Sequence, residues 1–184
     1  MRYFIADTHF NHENIIKYCN RPFENSKEMN EYIINKWNSV VSKDDIVYHL
    51  GDVGFGSTEE LKKLVSRLNG TKILIRGNHD YKRGLNGWKE VGFSGVYKNK
   101  LILKNLILTH EPIEVEENYM NVFRHIHNKP LDERFDKSNH ICVSCDDHLF
   151  HYIYRAKECL KNLVYIFLII LKEIKIHIMI CLQE

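Results

Sequence analysis

The chain has 184 residues, of which 44% are hydrophobic and 27% are charged, and its formal net charge is +2. This composition is ordinary for one globular domain with its own hydrophobic core, and the small charge gives no support for a nucleic-acid or anionic-membrane partner. Because the chain opens without a basic segment followed by an apolar one, we expect no signal peptide. The five cysteines follow no framework spacing and are expected to be reduced thiols of a cytoplasmic protein.

Alternating apolar and amphipathic stretches predict a β-α-β-α-β unit in the first half of the chain. Its elements are a strand over residues 2–6, a helix over 26–41 capped by Asn25, a strand over 46–50, a helix that begins after Ser57 and ends at Asn69-Gly70, and a strand over 73–75. This alternation favours parallel strands joined by right-handed crossovers. In such sheets a ligand site lies beyond the carboxyl ends of the strands.

The pattern changes after residue 90. Short apolar runs at Val96-Tyr97, Leu101–Leu103 and Leu106–Leu108 are separated by Lys/Asn turns and predict antiparallel strands. Weaker strand signals lie at Met120–Phe123 and Ile141–Ser144. The two halves together predict two sheets packed against each other with helices outside.

The C-terminal segment, residues 160–184, is atypical. Its nine consecutive apolar residues, 163–171, are followed by an Ile-rich stretch broken by charges. A bilayer span needs about 20 apolar residues, so we expect no membrane segment. Two alternatives stay open, a strand or helix packed against the core and an exposed apolar tail that is sticky or serves dimer contact. We expect a single domain over 1–184, and the sequence does not indicate its oligomeric state.

Five short polar clusters follow apolar runs. They are Asp7-Thr8-His9, Gly51-Asp52-Val53, Gly77-Asn78-His79-Asp80, Thr109-His110 and His125-Ile126-His127. If the runs are strands that end at one common edge, the clusters converge there. Their Asp, Asn and His side chains then supply enough ligands for two adjacent metal ions, an arrangement typical of phosphoryl transfer. Oxygen and nitrogen ligands without thiolates suit Mn, Fe, Zn, Ni or Co.

In this order the clusters resemble the signature of the calcineurin-like metallophosphoesterase superfamily. Stretches such as Asn20-Arg21-Pro22-Phe23 are similar to its small single-domain bacterial and phage members, and no family motif is found beyond about residue 150. The resemblance implies an α/β fold, a four-layer αββα sandwich of two mixed β-sheets flanked by helices. It also implies two divalent transition-metal ions, and Mn is the metal that we expect first. One metal would take Asp7, His9, Asp52 and His127, and the other would take Asp52, Asn78, His110 and His125.

The same resemblance implies roles in catalysis. A water activated between the two metals attacks phosphorus, with Asp52 as the shared ligand, and His79 protonates the leaving oxygen as general acid. Asp80 either orients the His79 imidazole or caps the next helix. Asn78 and His79 are expected to contact the substrate.

Arginines are further candidates for substrate binding, because their guanidinium groups bind phosphate through paired hydrogen bonds. Arg21, Arg76 and Arg83 are expected near the clusters, and Arg21 is the candidate phosphate contact, with a solvated surface side chain as the alternative. Arg124 stands where the family pattern has Gly before His125. It either strains the turn, reaches the substrate phosphate or points into solvent.

We therefore expect an enzyme, a metal-dependent phosphatase or phosphodiesterase that hydrolyses phosphate mono- or diesters. One alternative is a nuclease or cyclic-nucleotide phosphodiesterase of the same superfamily. Nucleic acid is a possible partner, but the net charge does not indicate one. The other alternative is a scaffold that keeps the fold without catalysis. Retention of every motif argues against that scaffold, whereas Arg124 and the apolar tail are in its favour.

Overall fold

The computed structural model describes residues 1–124, 130–143 and 154–155. The strands are β1 (Arg2–Ile5), β2 (Ile46–His49), β3 (Thr71–Ile75), β4 (Gly95–Tyr97), β5 (Lys100–Leu103), β6 (Leu106–Thr109), β7 (Met120–Phe123), β8 (His140–Cys142) and β9 (Tyr154–Arg155). The helices are α1 (Glu13–Tyr18), α2 (Ser26–Val40), α3 (Thr58–Val65) and α4 (Gly84–Val91), with a 3₁₀ helix at Asn78–Arg83.

Two mixed sheets organise the chain, as predicted. The first has the order β4-β3-β2-β1-β9, with β1 to β4 parallel and β9 antiparallel at the edge. The second has the order β5-β6-β7-β8, with β5 and β6 antiparallel and the other pairs parallel. The α/β fold with flanking helices is therefore confirmed.

One predicted strand pairs differently. The Val96-Tyr97 run was expected in an antiparallel arrangement, but β4 lies parallel to β3, with Val96 opposite Leu74. The reason is α4, which the apolar pattern did not reveal. A parallel pair needs a crossover connection, and α4 supplies it.

The core shows why the sheets stack. Tyr3 and Ile5 of β1 face a cluster built with all four α-helices, including Trp37 of α2. Phe4 and Ala6 face the opposite way, into a cluster shared with β6, β7 and the residue after β8. Because successive side chains of a strand point to opposite faces, one face of the first sheet packs against the helices and the other packs against the second sheet. A fourth layer and the single-domain boundary stay predictions, and the segment 160–184 lies outside the described residues.

Local caps fix the helix starts that the sequence predicted. The Asn25 side chain accepts a hydrogen bond from Glu28 N at the start of α2, and Ser57 with Glu60 forms a capping box at the start of α3. No helix in the described ranges is long and apolar enough to cross a bilayer.

Candidate metal centre

The predicted clusters meet because their strands are neighbours. Asp7 follows β1, Asp52 follows β2 and Asn78 follows β3, so the three parallel strands bring them to one edge. Backbone hydrogen bonds join the loops, from Asp7 N to Gly51 O at 3.0 Å and from His9 N to Asp52 O at 3.1 Å. The second sheet contributes His110, directly after β6.

Three of the predicted ligands have strained backbones. Asp7, His9 and Asp52 lie in the left-handed region, with φ of 53°, 48° and 57°. Such a conformation costs of order 1–3 kcal/mol per residue and persists only where the surroundings impose it. All three residues are at least 98% buried. The fold therefore holds these side chains in fixed positions at an energetic cost, as functional sites do.

Two glycines allow the loops to touch. A Cβ on Gly51 would lie 2.7 Å from His110 Nδ1, and a Cβ on Gly77 would overlap the Asp52 carboxylate and lie 2.9 Å from His110 Cε1. No side chain fits at either position. The Gly-Asp and Gly-Asn-His-Asp patterns thus reflect close packing of the loops.

The carboxylate of Asp52 lies at the centre of the cluster. Its Oδ2 is 3.5 Å from His110 Nε2 and 3.9 Å from the Nε2 atoms of both His9 and His79. Its Oδ1 accepts a hydrogen bond from His79 N at 3.1 Å. Asp52 Oδ2 is therefore close to one imidazole from each of the two predicted ligand sets, His9 and His110.

The surroundings of His110 fit a bound cation. Its Nδ1 lies 2.7 Å from Leu50 O, so the proton of a neutral ring belongs on Nδ1. Nε2 then offers a lone pair, and it lies 3.0 Å from Asn78 Oδ1 and 3.5 Å from Asp52 Oδ2. Electron-rich atoms this close repel one another, and a metal ion would convert the repulsion into attraction.

Asp7 completes the group. Its Oδ1 is buried and has no hydrogen-bond partner in the described part of the chain. Ligand atoms of Asp7, Asp52 and His110 lie within 4.8 Å of one another. A buried orphan oxygen beside a carboxylate and an imidazole fits a metal ion, so the donor set agrees with the implied cofactor. His125 and His127 lie outside the described residues, and their ligand roles stay predictions.

The arginines predicted to contact substrate are buried. Arg21 Nη2 donates to Asp7 O at 2.9 Å and its Nη1 to Thr8 O at 3.3 Å, which ties down the first loop. Arg124 is fully buried, and its Nε donates to Asp7 Oδ2 at 2.7 Å. Arg124 therefore neither points into solvent nor has a left-handed backbone that would strain the turn. Substrate contact by Arg21 or Arg124 stays a prediction.

Asp80 binds backbone amides. Its Oδ2 accepts from Asp52 N and Gly77 N, both at 2.8 Å, and its Oδ1 from Val53 N at 3.1 Å. Burial and the nearby Asp52 charge raise the pKa of this carboxyl to about 7, although the three amides oppose the shift. The contact with Gly77 N favours the alternative in which Asp80 caps a helix, here the 3₁₀ helix at Asn78–Arg83. The contacts with Asp52 N and Val53 N also bind the loop that follows β2.

Two buried side chains, Thr8 and His49, form a hydrogen-bonded pair behind the site. Thr8 Oγ1 donates to Val53 O at 2.8 Å, so it accepts from His49 Nε2 at 3.0 Å. Burial, with a smaller effect of His110, lowers the pKa of His49 to about 3 and keeps its ring neutral. His49 therefore links the end of β2 to the loop after β1 through Thr8.

Two recesses flank the cluster. One, of about 460 Å³, is lined by His9, His79 and aromatic residues including Tyr18 and Phe55. The other, of about 270 Å³, is lined by Asn78, His110 and polar residues. A ligand bound at the cluster could therefore extend into either recess.

Arg124→Gly tests how the buried guanidinium affects metal binding. We expect the substitution to tighten metal binding to chelator-stripped protein about tenfold or more, because a positive charge beside Asp7 repels a cation. We also expect the metal-free variant to lose about 3 kcal/mol of stability, because Asp7 loses its counter-ion. Calorimetric metal titration and urea unfolding measure the two effects, with Arg124→Lys as the charge-retaining control. Weaker metal binding in Arg124→Gly would show instead that Arg124 positions Asp7 for the metal.

Comparisons with known proteins identify two curated relatives. An uncharacterized protein of Methanocaldococcus jannaschii is 55% identical over 80 residues, which cover 42% of this chain and 46% of the relative. The gene 66 protein of Mycobacterium phage L5 is 36% identical over 87 residues, or 46% of this chain and 42% of that protein. The chain thus matches less than half the length of these curated relatives.

A solved structure and a family model extend the likeness. The crystal structure of a protein of unknown function from Aquifex aeolicus superposes with a TM-score of 0.55 at 28% identity, covering 80% of this chain and 85% of that one. Residues 3–168 match the model of the calcineurin-like phosphoesterase family, a range that extends past the last recognisable motif. Because this match spans most of the chain, the protein belongs to the calcineurin-like phosphoesterase family.

Proposed function

We propose that the protein is a metal-dependent phosphoesterase that hydrolyses phosphate mono- or diesters in the cytoplasm. The observation that carries the proposal is Asp52 Oδ2, a buried carboxylate oxygen within 3.9 Å of three imidazole nitrogens. Asp7 and His9 are candidates for one metal, Asn78 and His110 for a second, and Asp52 for both. His127 and His125 would complete the two sets. Nitrogen and oxygen donors suit Mn, with Fe, Ni, Zn or Co as alternatives.

Bound metals would supply Lewis acidity and a water that ionises near neutral pH. The chain itself supplies the proton for the leaving group. Among the histidines of the cluster that the structure describes, His79 is the exposed one, with 45% of its side chain accessible, whereas the side chains of His9 and His110 are at least 95% buried. The His79 ring is therefore accessible to substrate, and its backbone is fixed by the hydrogen bond to Asp52 Oδ1.

Metal add-back tests the activity. Chelator-stripped protein is assayed with p-nitrophenyl phosphate and bis-p-nitrophenyl phosphate, with Mn, Ni, Zn, Mg or no metal added. We expect turnover that requires a transition metal, and the ratio of the two rates gives the preference for mono- or diesters. Absence of turnover from folded protein with every metal would contradict the proposal.

His79→Ala tests the general acid. We expect kcat to fall about 10²- to 10⁴-fold on substrates with poor leaving groups, since protonation helps those most, with metal content unchanged. The control is His140→Ala, because His140 lies outside the cluster and contacts the Ile113 and Asp136 carbonyls. Loss of metal from His79→Ala would make His79 a ligand and contradict the assigned role.

A non-catalytic scaffold is the second candidate, and one observation favours it. The Arg124 guanidinium holds one oxygen of Asp7, a carboxylate that the family uses for metal. If Arg124 prevents metal binding, the add-back assay gives no turnover and Arg124→Gly gains bound metal.

A further inference from the structure

Arg76 is an unusual buried cation. It directly follows β3, its backbone N donates to Tyr97 O at 3.1 Å, and the residue is 7% exposed. Its guanidinium carbon lies 4.4 Å from the centre of the Tyr81 ring, so one face of the group is covered by an aromatic ring.

This cation has no protein counter-ion among the described residues. Arg76 Nε makes no hydrogen bond, and no carboxylate lies within 4.0 Å of the guanidinium nitrogens. The other buried arginines differ, because Arg21 binds backbone carbonyls and Arg124 binds Asp7. Burying a charge without a partner is costly, and the Tyr81 ring offsets only a part of that cost.

Arg76 lines the smaller recess beside the metal centre. Asn78 and His110, two predicted metal ligands, line the same recess, together with Tyr81, Asn99 and Thr109. Glu111 also lines it, but Glu111 is exposed and forms no ion pair with Arg76 within the described ranges. An anion in this recess would therefore be close to both the guanidinium and the predicted metal ligands.

We propose that Arg76 binds a non-bridging oxygen of the substrate phosphoryl group and makes the enzyme prefer phosphate monoesters. This inference rests on the proposed phosphoesterase function. A guanidinium matches phosphate in charge and in hydrogen-bond geometry, and the ligand supplies the missing counter-ion.

The preference follows from the chemistry of the two ester classes. A monoester offers three non-bridging oxygens and about two negative charges near neutral pH. A diester offers two such oxygens and one charge, and its second substituent occupies the third position. A buried cation beside the metal ligands therefore favours the monoester.

Arg76→Met tests the inference, because it removes the charge and keeps most of the side-chain volume. We expect kcat/KM for p-nitrophenyl phosphate to fall about 10- to 100-fold and the change for bis-p-nitrophenyl phosphate to be about threefold or less. Binding of inorganic phosphate to the metal-loaded protein, measured by calorimetry, should weaken about tenfold or more. Arg76→Lys, which keeps the charge, should recover part of both losses.

Arg83→Met is the matched control. Arg83 also lies over an aromatic ring, 4.9 Å from the Trp88 centre, but its Nη2 donates to Gly56 O and it does not line the recess.

Urea unfolding of Arg76→Met should show unchanged or increased stability, since a buried unpaired charge is removed.

The outcomes distinguish failure of the proposed phosphoesterase function from failure of the role assigned to Arg76. If the wild-type protein shows no turnover with any metal, the proposed function fails, and phosphate binding still tests Arg76. If the wild type is active but Arg76→Met lowers both ester classes equally, or leaves phosphate affinity unchanged, the assignment of Arg76 is overturned. Loss of stability in Arg76→Met together with the same loss in Arg76→Lys would show a structural role and would also overturn it.

Discussion

Asp52→Asn is expected to lower the affinity of the protein for both metals and to reduce kcat/KM about 10³-fold or more, a loss of about 4 kcal/mol in transition-state stabilisation. The substitution keeps the shape of the side chain and an oxygen that can accept from His79 N. It removes the charge that Oδ2 places within 3.9 Å of His9, His79 and His110. Metal titration of chelator-stripped protein and the p-nitrophenyl phosphate assay measure the two effects.

The control for this experiment is Asp44→Asn, the same chemical change at an exposed position before β2. It should leave metal affinity and activity unchanged. Loss of one metal equivalent with full retention of the other in Asp52→Asn would rule out a shared ligand. Normal metal content with no activity would assign Asp52 to catalysis without metal binding.

Asp80→Ala is expected to cost about 3–5 kcal/mol of unfolding free energy. The substitution leaves three buried amides, those of Asp52, Val53 and Gly77, without their acceptor, and each unpaired donor costs about 1–3 kcal/mol. Urea unfolding of metal-free protein measures the effect. Asp80→Asn should also destabilise, because both carboxylate oxygens accept from amides and an NH₂ group would face a donor.

Glu90→Ala, at an exposed position on α4, is the control for removal of a carboxylate. The same measurements decide between the two roles that the sequence left open for Asp80. If unfolding free energy is unchanged while kcat falls, Asp80 orients the His79 imidazole. If stability falls as expected, Asp80 has the capping role, and it also binds the loop after β2 through the amides of Asp52 and Val53.

The fold was largely predictable because its signals are local. The helix over 26–41 was found as α2 at Ser26–Val40, since the Asn25 cap and the apolar spacing act within a few residues. The weaker signal at Met120–Phe123 was found as β7 with the same bounds. By contrast, the direction of β4 depends on its neighbour in space and on α4, and neither can be read from a three-residue apolar run.

The sequence by itself determined the chemistry of the centre. The order of the clusters and their position after strands identified Asp7, Asp52, Asn78 and His110 as residues that would meet, because parallel neighbours end at one edge. The sequence also contains Gly51 and Gly77 in these clusters, and the close packing of the loops in the structure explains why no side chain fits there.

Only the tertiary structure decided what the remaining charged residues do. Arg21, Arg76 and Arg124 carry the same side chain but have different surroundings. Arg21 binds backbone carbonyls, and Arg76 lines a recess without a counter-ion among the described residues. Arg124 neutralises the carboxylate of Asp7, which lies 117 positions away in the chain. Burial and distance to a partner set the role of a charge, and both arise from contacts between distant segments. Local pattern therefore fixes which donors the site contains, and packing fixes which of them remain available to metal and substrate.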